Sequence, residues 1–273
     1  MVSHYLARSL SLGPDYDKKG TSAIWARNPN GKAVVFIHGY GGDALTTWNE
    51  FNKHLPESPG FEQYDFIFYG HDGLYTTTTA SATLFCEFLN QLFTQPLTII
   101  NPSLSLAAAR RQEFQYSKII LAAHSLGAVI GRWSLLFARD RRYTWMNKTT
   151  LVLYAPAHMG ARVVRLALES RLGILSSVVS SFIRFSSPLI DELAPGSQEL
   201  QALQQKTLAA INAGDSPYLI AKKVVFAAKE RIVTNLPFPQ DPAPITFAGT
   251  THHSVCKPKD TFLDPIDVLS KAL

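Results

Sequence analysis

Short apolar runs alternate along the chain with longer stretches patterned for helices, the rhythm of a mostly parallel sheet covered by helices. Val34-Val35-Phe36-Ile37 has no polar position, as a strand buried on both faces requires. Phe66-Ile67-Phe68-Tyr69, Lys118 to Ala123, Thr150 to Tyr154, Lys223 to Ala227 and Ile245 to Ala248 carry related strand patterns. Between them, Leu84, Phe88 and Leu92 fall four apart and predict a helix over 80–94, and a second is expected over 127–138. Trp48, Phe51 and Leu55 predict a helix stopped by Pro56 and Pro59-Gly60. Further helices are expected over 104–115 and after Pro265. From 162 to 213 no strand pattern occurs; Val164, Leu168, Leu172, Leu175, Val179 and Phe182 keep near-helical spacing, broken at Gly173. The expectation is an α/β core formed by 1–160 and 214–273, interrupted by a helical lid at 161–213.

Composition narrows the class of protein. With 46% hydrophobic and 17% charged residues, the 273-residue chain has enough apolar surface for a packed core and is not patterned for disorder. No apolar run approaches the roughly 20 residues of a membrane-spanning helix. No charged and then apolar leader opens the chain, so a soluble, cytoplasmic protein is expected. Cys86 and Cys256 are too few for a disulfide framework or a cysteine zinc site, and the eight histidines do not group with carboxylates at ligand spacing. No metal or cofactor is expected. The net charge of +5 is spread over short, dispersed basic clusters, which argues against a nucleic-acid surface.

Ser125 carries the chemistry. Ala123-His124-Ser125-Leu126-Gly127 follows an apolar strand and opens a helix, a variant of the G-x-S-x-G nucleophile elbow. The positions two before and two after the serine must be small, because their β-carbons would otherwise meet across the turn. A serine hydroxyl needs a base. Only His252 and His253 follow the last predicted strand. An acid must then orient that imidazole. Glu230, just beyond the strand ending at Ala227, is the first candidate and Asp241 the second; Asp191 and Asp215 are the other acids in the window. The reaction's negative oxygen needs two amide donors, expected from Leu126 and from Tyr40 in His38-Gly39-Tyr40-Gly41-Gly42. Those glycines lack the spacing of a nucleotide-binding loop. His38 and His124 read as supports, and Cys86 and Cys256 as buried packing.

These pieces resemble the α/β-hydrolases of the serine esterase and lipase group, and within it the branch of GPI inositol-deacylase-like and other lipase-like esterases. The resemblance rests on Phe36 to Asp43 with Thr47-Trp48, His124 to Gly127, Ala155 to Gly160, Leu193 to Ser197 with Leu200, and His252 to Pro258. It implies the α/β-hydrolase fold, a Ser-His-acid triad and ester hydrolysis. In that branch the base stands five positions before a lysine, which selects His252, with His253 as the alternative. The Pro195-Gly196-Ser197 piece belongs, by resemblance, to the insertion over the site, which weighs against Asp191. Ala123 replaces the first glycine of the elbow, and Glu230 stands where aspartate is commoner. The expected substrate is a small-molecule or lipid acyl ester of short to medium chain, with peripheral membrane contact only weakly supported. A thioesterase or acyltransferase using the same serine, and a catalytically silent binding module, are the competing readings.

Overall fold

The structure is a computed structural model that describes residues 3–5, 8–10, 20–162, 187–214 and 216–273. Eight strands among the described residues form one sheet: β1 Arg8–Ser9, β2 Ser22–Ile24, β3 Lys32–Ile37, β4 Tyr64–Tyr69, β5 Lys118–His124, β6 Thr149–Tyr154, β7 Ala221–Ala227 and β8 Ile245–Phe247. Their spatial order is β1-β2-β4-β3-β5-β6-β7-β8. β3 to β8 run parallel, whereas β1 and β2 add an antiparallel edge beside β4. The apolar runs form these strands because helices cover both faces, so the interior side chains of β3, β4 and β5 are almost wholly buried. The register is level: Ile37 sits opposite both Tyr69 and Ala123, and His124 opposite Tyr154. The loops leaving these strands therefore emerge side by side at one edge of the sheet.

Among the described residues the helices include α1 Phe51–His54, α2 Thr78–Thr94, α3 Pro96–Ile100, α4 Leu126–Asp140, α5 Leu189–Glu192, α6 Gln198–Asn212 and α7 Asp264–Ser270. α4 packs against α2, and the Ser134 hydroxyl reaches the carbonyls of Ala82 (2.9 Å) and Ile130 (2.7 Å). α6 is capped by Ser197, whose Oγ accepts the Leu200 N–H, and packs on α4 through a buried face that includes Leu200 and Leu203. The C-terminal part of the expected insertion thus lies against the core. The stripe from Val164 to Phe182 falls outside the described residues. No helix of the described residues is long and apolar enough to cross a membrane.

Two expected helices differ. Trp48, Phe51 and Leu55 are all buried as foreseen, but the chain reaches them through turns, a four-residue α1 and a 3-10 turn over 55–57. Over 104–115 only a 3-10 turn at Leu106–Ala108 forms, because the segment offers no apolar stripe and Leu106 is 98% exposed. Arg110 is instead drawn inward to Asp65 on β4 (2.8 Å). The same carboxylate accepts bonds from Tyr116 Oη (2.7 Å) and the Ala26 amide (2.8 Å), joining the edge strands to the core.

Burial pushes the Asp65 carboxyl up to about 6, against the opposing pull of Arg110 and Tyr116. An acid raised this way binds its proton more tightly in the folded state, so stability falls as pH rises from the ordinary carboxylate range through that value. Arg110→Met removes the compensating charge and extends the window upward. Denaturant titration should show this variant destabilised by about 3 kcal/mol at pH 8 and by clearly less at pH 5. Equal losses at both values would mean that Asp65 is not the buried charge the guanidinium compensates.

Candidate active site

β5 ends at His124 and α4 begins at Leu126, which leaves Ser125 alone in the turn. Its backbone adopts φ 55° and ψ −121°, a region that side chains rarely enter and that costs about 1–3 kcal/mol. The surroundings hold it there. The Ser125 N–H donates to the Tyr154 carbonyl (3.1 Å), and its own carbonyl accepts from Ala128 (3.1 Å) and Ala157 (3.2 Å). A β-carbon on Gly127 would lie 2.2 Å from the Ile37 carbonyl oxygen and 2.6 Å from that of His38, so only glycine fits. One on Gly39 would meet the Ser125 Cβ at 2.8 Å, which shows how closely the loop after β3 approaches the turn.

The structure brings three of the predicted residues into one hydrogen-bonded line. Ser125 Oγ lies 3.0 Å from His252 Nε2, and His252 Nδ1 lies 3.0 Å from Glu230 Oε2. With Nδ1–H donating to the carboxylate, Nε2 is left as the acceptor for the serine hydroxyl. The His252 and Glu230 side chains are only 2% and 1% exposed. Glu230 Oε1 accepts the amides of Arg231 (3.0 Å), Ile232 (2.8 Å) and Val233 (3.1 Å). Burial would raise the Glu230 carboxyl, but the bonds from His252 and these amides outweigh it and hold the group below its ordinary range.

Neighbouring loops fix this line. The Lys229 N–H donates to the Thr250 carbonyl (2.9 Å), joining the acid-bearing loop to the histidine-bearing one. His124 Nε2–H donates to the His252 carbonyl (2.9 Å), and burial together with the nearby His252 ring keeps His124 neutral, well below its usual value. On the other side His38 Nδ1–H donates to the Gly39 carbonyl (2.9 Å). His38 Nε2 accepts the His71 amide (3.3 Å), while His71 Nε2–H donates to the His38 carbonyl (3.0 Å). The two rings stack with centroids 4.0 Å apart. The Gly41 N–H is tied to the Gly73 carbonyl (3.2 Å). Tyr40 is thereby buried in a clamped loop, and it lines a cavity of about 800 Å³ together with Gly39, Ser125, His252 and His253. The Leu126 amide, first in α4, has no acceptor within its helix.

The other candidates lie elsewhere. Asp241 binds the buried Arg132 (2.6 Å) and the Ala221 amide (2.9 Å), so its carboxylate is spent on α4 and the start of β7. Asp191 is exposed on α5, and Asp215 lies outside the described residues. His253 stands edge-on to His252, with centroids 5.6 Å apart, and takes a cavity wall instead of the bond to Ser125. Cys86 and Cys256 are buried, and burial pushes both thiols up to about 12. Sequence reasoning missed His71 as the clamp of the loop after β3; its place at the end of the strand beside β3 was the available signal.

No protein-family model and no curated protein matches the chain. Among solved structures it is similar to the mature lipase BlEst2 of Bacillus licheniformis, with 14% identity, coverage of 96% of this chain and all of that one, and a TM-score of 0.52. The monoacylglycerol lipase of Paleococcus ferrophilus shares 12% identity over 92% of this chain and 98% of that one, with a TM-score of 0.50. MGS-MChE2, an α/β hydrolase enzyme from a lagoon-sediment metagenome at Mar Chica, Morocco, also shares 12% over 97% of this chain and 98% of that one, at 0.50. At such identities the likeness is one of architecture. The chain has the α/β-hydrolase fold.

The elbow yields a direct test. Gly127→Ala places a methyl group against two backbone carbonyls that cannot move aside, so it should lower stability by about 3 kcal/mol or more in a denaturant titration. A variant melting with the wild type would show that this contact does not set the turn.

Proposed function

We propose that the protein is a serine hydrolase that cleaves carboxylic esters through an acyl-enzyme intermediate. The observation that carries this reading is the buried line from Glu230 through His252 to Ser125 at the base of a cavity. Ser125 Oγ attacks the ester carbonyl carbon as its proton passes to His252 Nε2, forming the new C–O bond and a tetrahedral oxyanion. Glu230 stabilises the imidazolium that results. The amides of Tyr40 and Leu126 bind the oxyanion. The tetrahedral species collapses by breaking the bond to the alcohol, which leaves with the proton from His252. Water then repeats the sequence on the acyl-enzyme and releases the carboxylic acid.

The motifs quoted above support a relation to the GPI inositol-deacylase-like and lipase-like esterases, and short- to medium-chain acyl esters are the proposed substrates. The insertion read from the sequence at 161–213 is the proposed lid that sets acyl preference; 163–186 lie outside the described residues. The lipase names of its architectural neighbours support an ester over a peptide, since nothing marks a peptide subsite.

Turnover of p-nitrophenyl acyl esters tests the reading. Ser125→Ala should abolish it while melting close to the wild type, and Glu230→Gln should lower kcat by about 10³–10⁴-fold by releasing the imidazole from its productive tautomer. Activity should peak at short to medium chains. Persistent turnover in Ser125→Ala would overturn the nucleophile assignment, and a rate that climbs steadily with chain length and needs an interface would overturn the proposed substrate range.

A further inference from the structure

The cavity is not wholly apolar in its lining. His253 and Lys257, from the loop that carries His252, line it together with Asp43, Thr46 and Asn49 from the turns after β3. Lys257 is half-buried and makes no ion pair among the described residues. The nearest acid along the chain, Asp260, is engaged by Lys53 (2.6 Å) and faces His54 (3.4 Å). Asp43, which also lines the cavity, has its Oδ1 occupied by the amides of Leu45 (2.9 Å) and Thr46 (3.0 Å). Asn49 Nδ2 donates to the Pro258 carbonyl (2.8 Å), which pins the lysine-bearing loop to the rim. The charge of Lys257 bears on the buried His124 beside the nucleophile. A partially desolvated ammonium held at a reaction cavity without a carboxylate partner calls for an anion.

The direction of the reaction says which half of the substrate brings it. His252 must hand its proton to the departing alcohol, so the alcohol lies on the imidazole's side, against His253 and the loop that carries Lys257 to the cavity lining. We infer that the site selects acyl esters whose alcohol half carries an anionic group, a phosphate or a carboxylate, received by Lys257. This rests on the ester-hydrolase reading and deepens it.

Matched ester pairs test the inference: 3-carboxyphenyl against 3-carbamoylphenyl butyrate, and 1-butyrylglycerol 3-phosphate against 1-monobutyrylglycerol. The wild type should favour the anionic member of at least one pair by about tenfold in kcat/KM, chiefly through KM, and this preference should shrink at high salt. The pair that shows it identifies the anion as carboxylate or phosphate. Lys257→Met should bring the ratio close to one, Lys257→Glu should invert it, and Lys257→Arg should retain it. Turnover without a preference in either pair, or a preference that survives Lys257→Met, overturns the inference alone. Absence of turnover on all four esters by the folded wild type overturns the ester-hydrolase reading and this inference with it.

Discussion

The contact on which the site depends is the one between Gly127 and the carbonyls of Ile37 and His38. It allows α4 to start directly against the end of β3, the strand that neighbours β5 in the sheet. The chain between β5 and α4 is then a single residue, and that residue must take a positive φ. Ser125 is held there by bonds to Tyr154, Ala128 and Ala157, all donated or accepted by backbone. The strain is therefore carried by the sheet itself, and the hydroxyl keeps its direction without relying on a mobile side-chain partner. The close approach of Gly39 is part of the same packing, which puts the loop after β3 in contact with the serine.

Charge completes what packing begins. Glu230 is almost fully buried, a position that is unfavourable for a carboxylate until hydrogen bonds offset it. Three successive amides and the His252 ring supply them, so the acid stays ionised and the imidazole stays in one tautomer. Glu230 and His252 come from loops after β7 and β8, which are paired strands, and the bond from Lys229 to Thr250 carries that pairing past the strand ends. His124, whose pKa burial holds well below its usual value, bonds the His252 carbonyl without placing a positive charge near the His252 ring.

Much of this was legible in the residues. Strands β3 to β7 announced themselves through apolar runs buried within the sheet, whereas β8, at the sheet edge with Ile245 and Thr246 exposed, showed only a short strand pattern. Ser125 was readable from its strand-turn-helix setting, order after the strands left His252 with His253 and Glu230 with Asp241, and the resemblance chose His252. The edge strands β1 and β2 were not, since Arg8–Ser9 and Ser22–Ile24 are too short to carry a period. Nor was the fate of Asp241, because a buried pair with Arg132, 109 positions away in sequence, leaves no local trace. The helix expected over 104–115 failed for a related reason: its composition favoured a helix, but the tertiary pull of Asp65 on Arg110 and the absence of an apolar face decided otherwise.

On the proposed function, the strained Ser125 is a nucleophile activated by His252. The most direct measurement is intact-protein mass spectrometry after exposure to a fluorophosphonate, with Ser125→Ala treated in parallel. One covalent adduct is expected on the wild type, mapped to Ser125, and none on the variant. A folded wild type that takes no adduct, or a Ser125→Ala protein that still takes one, would contradict it.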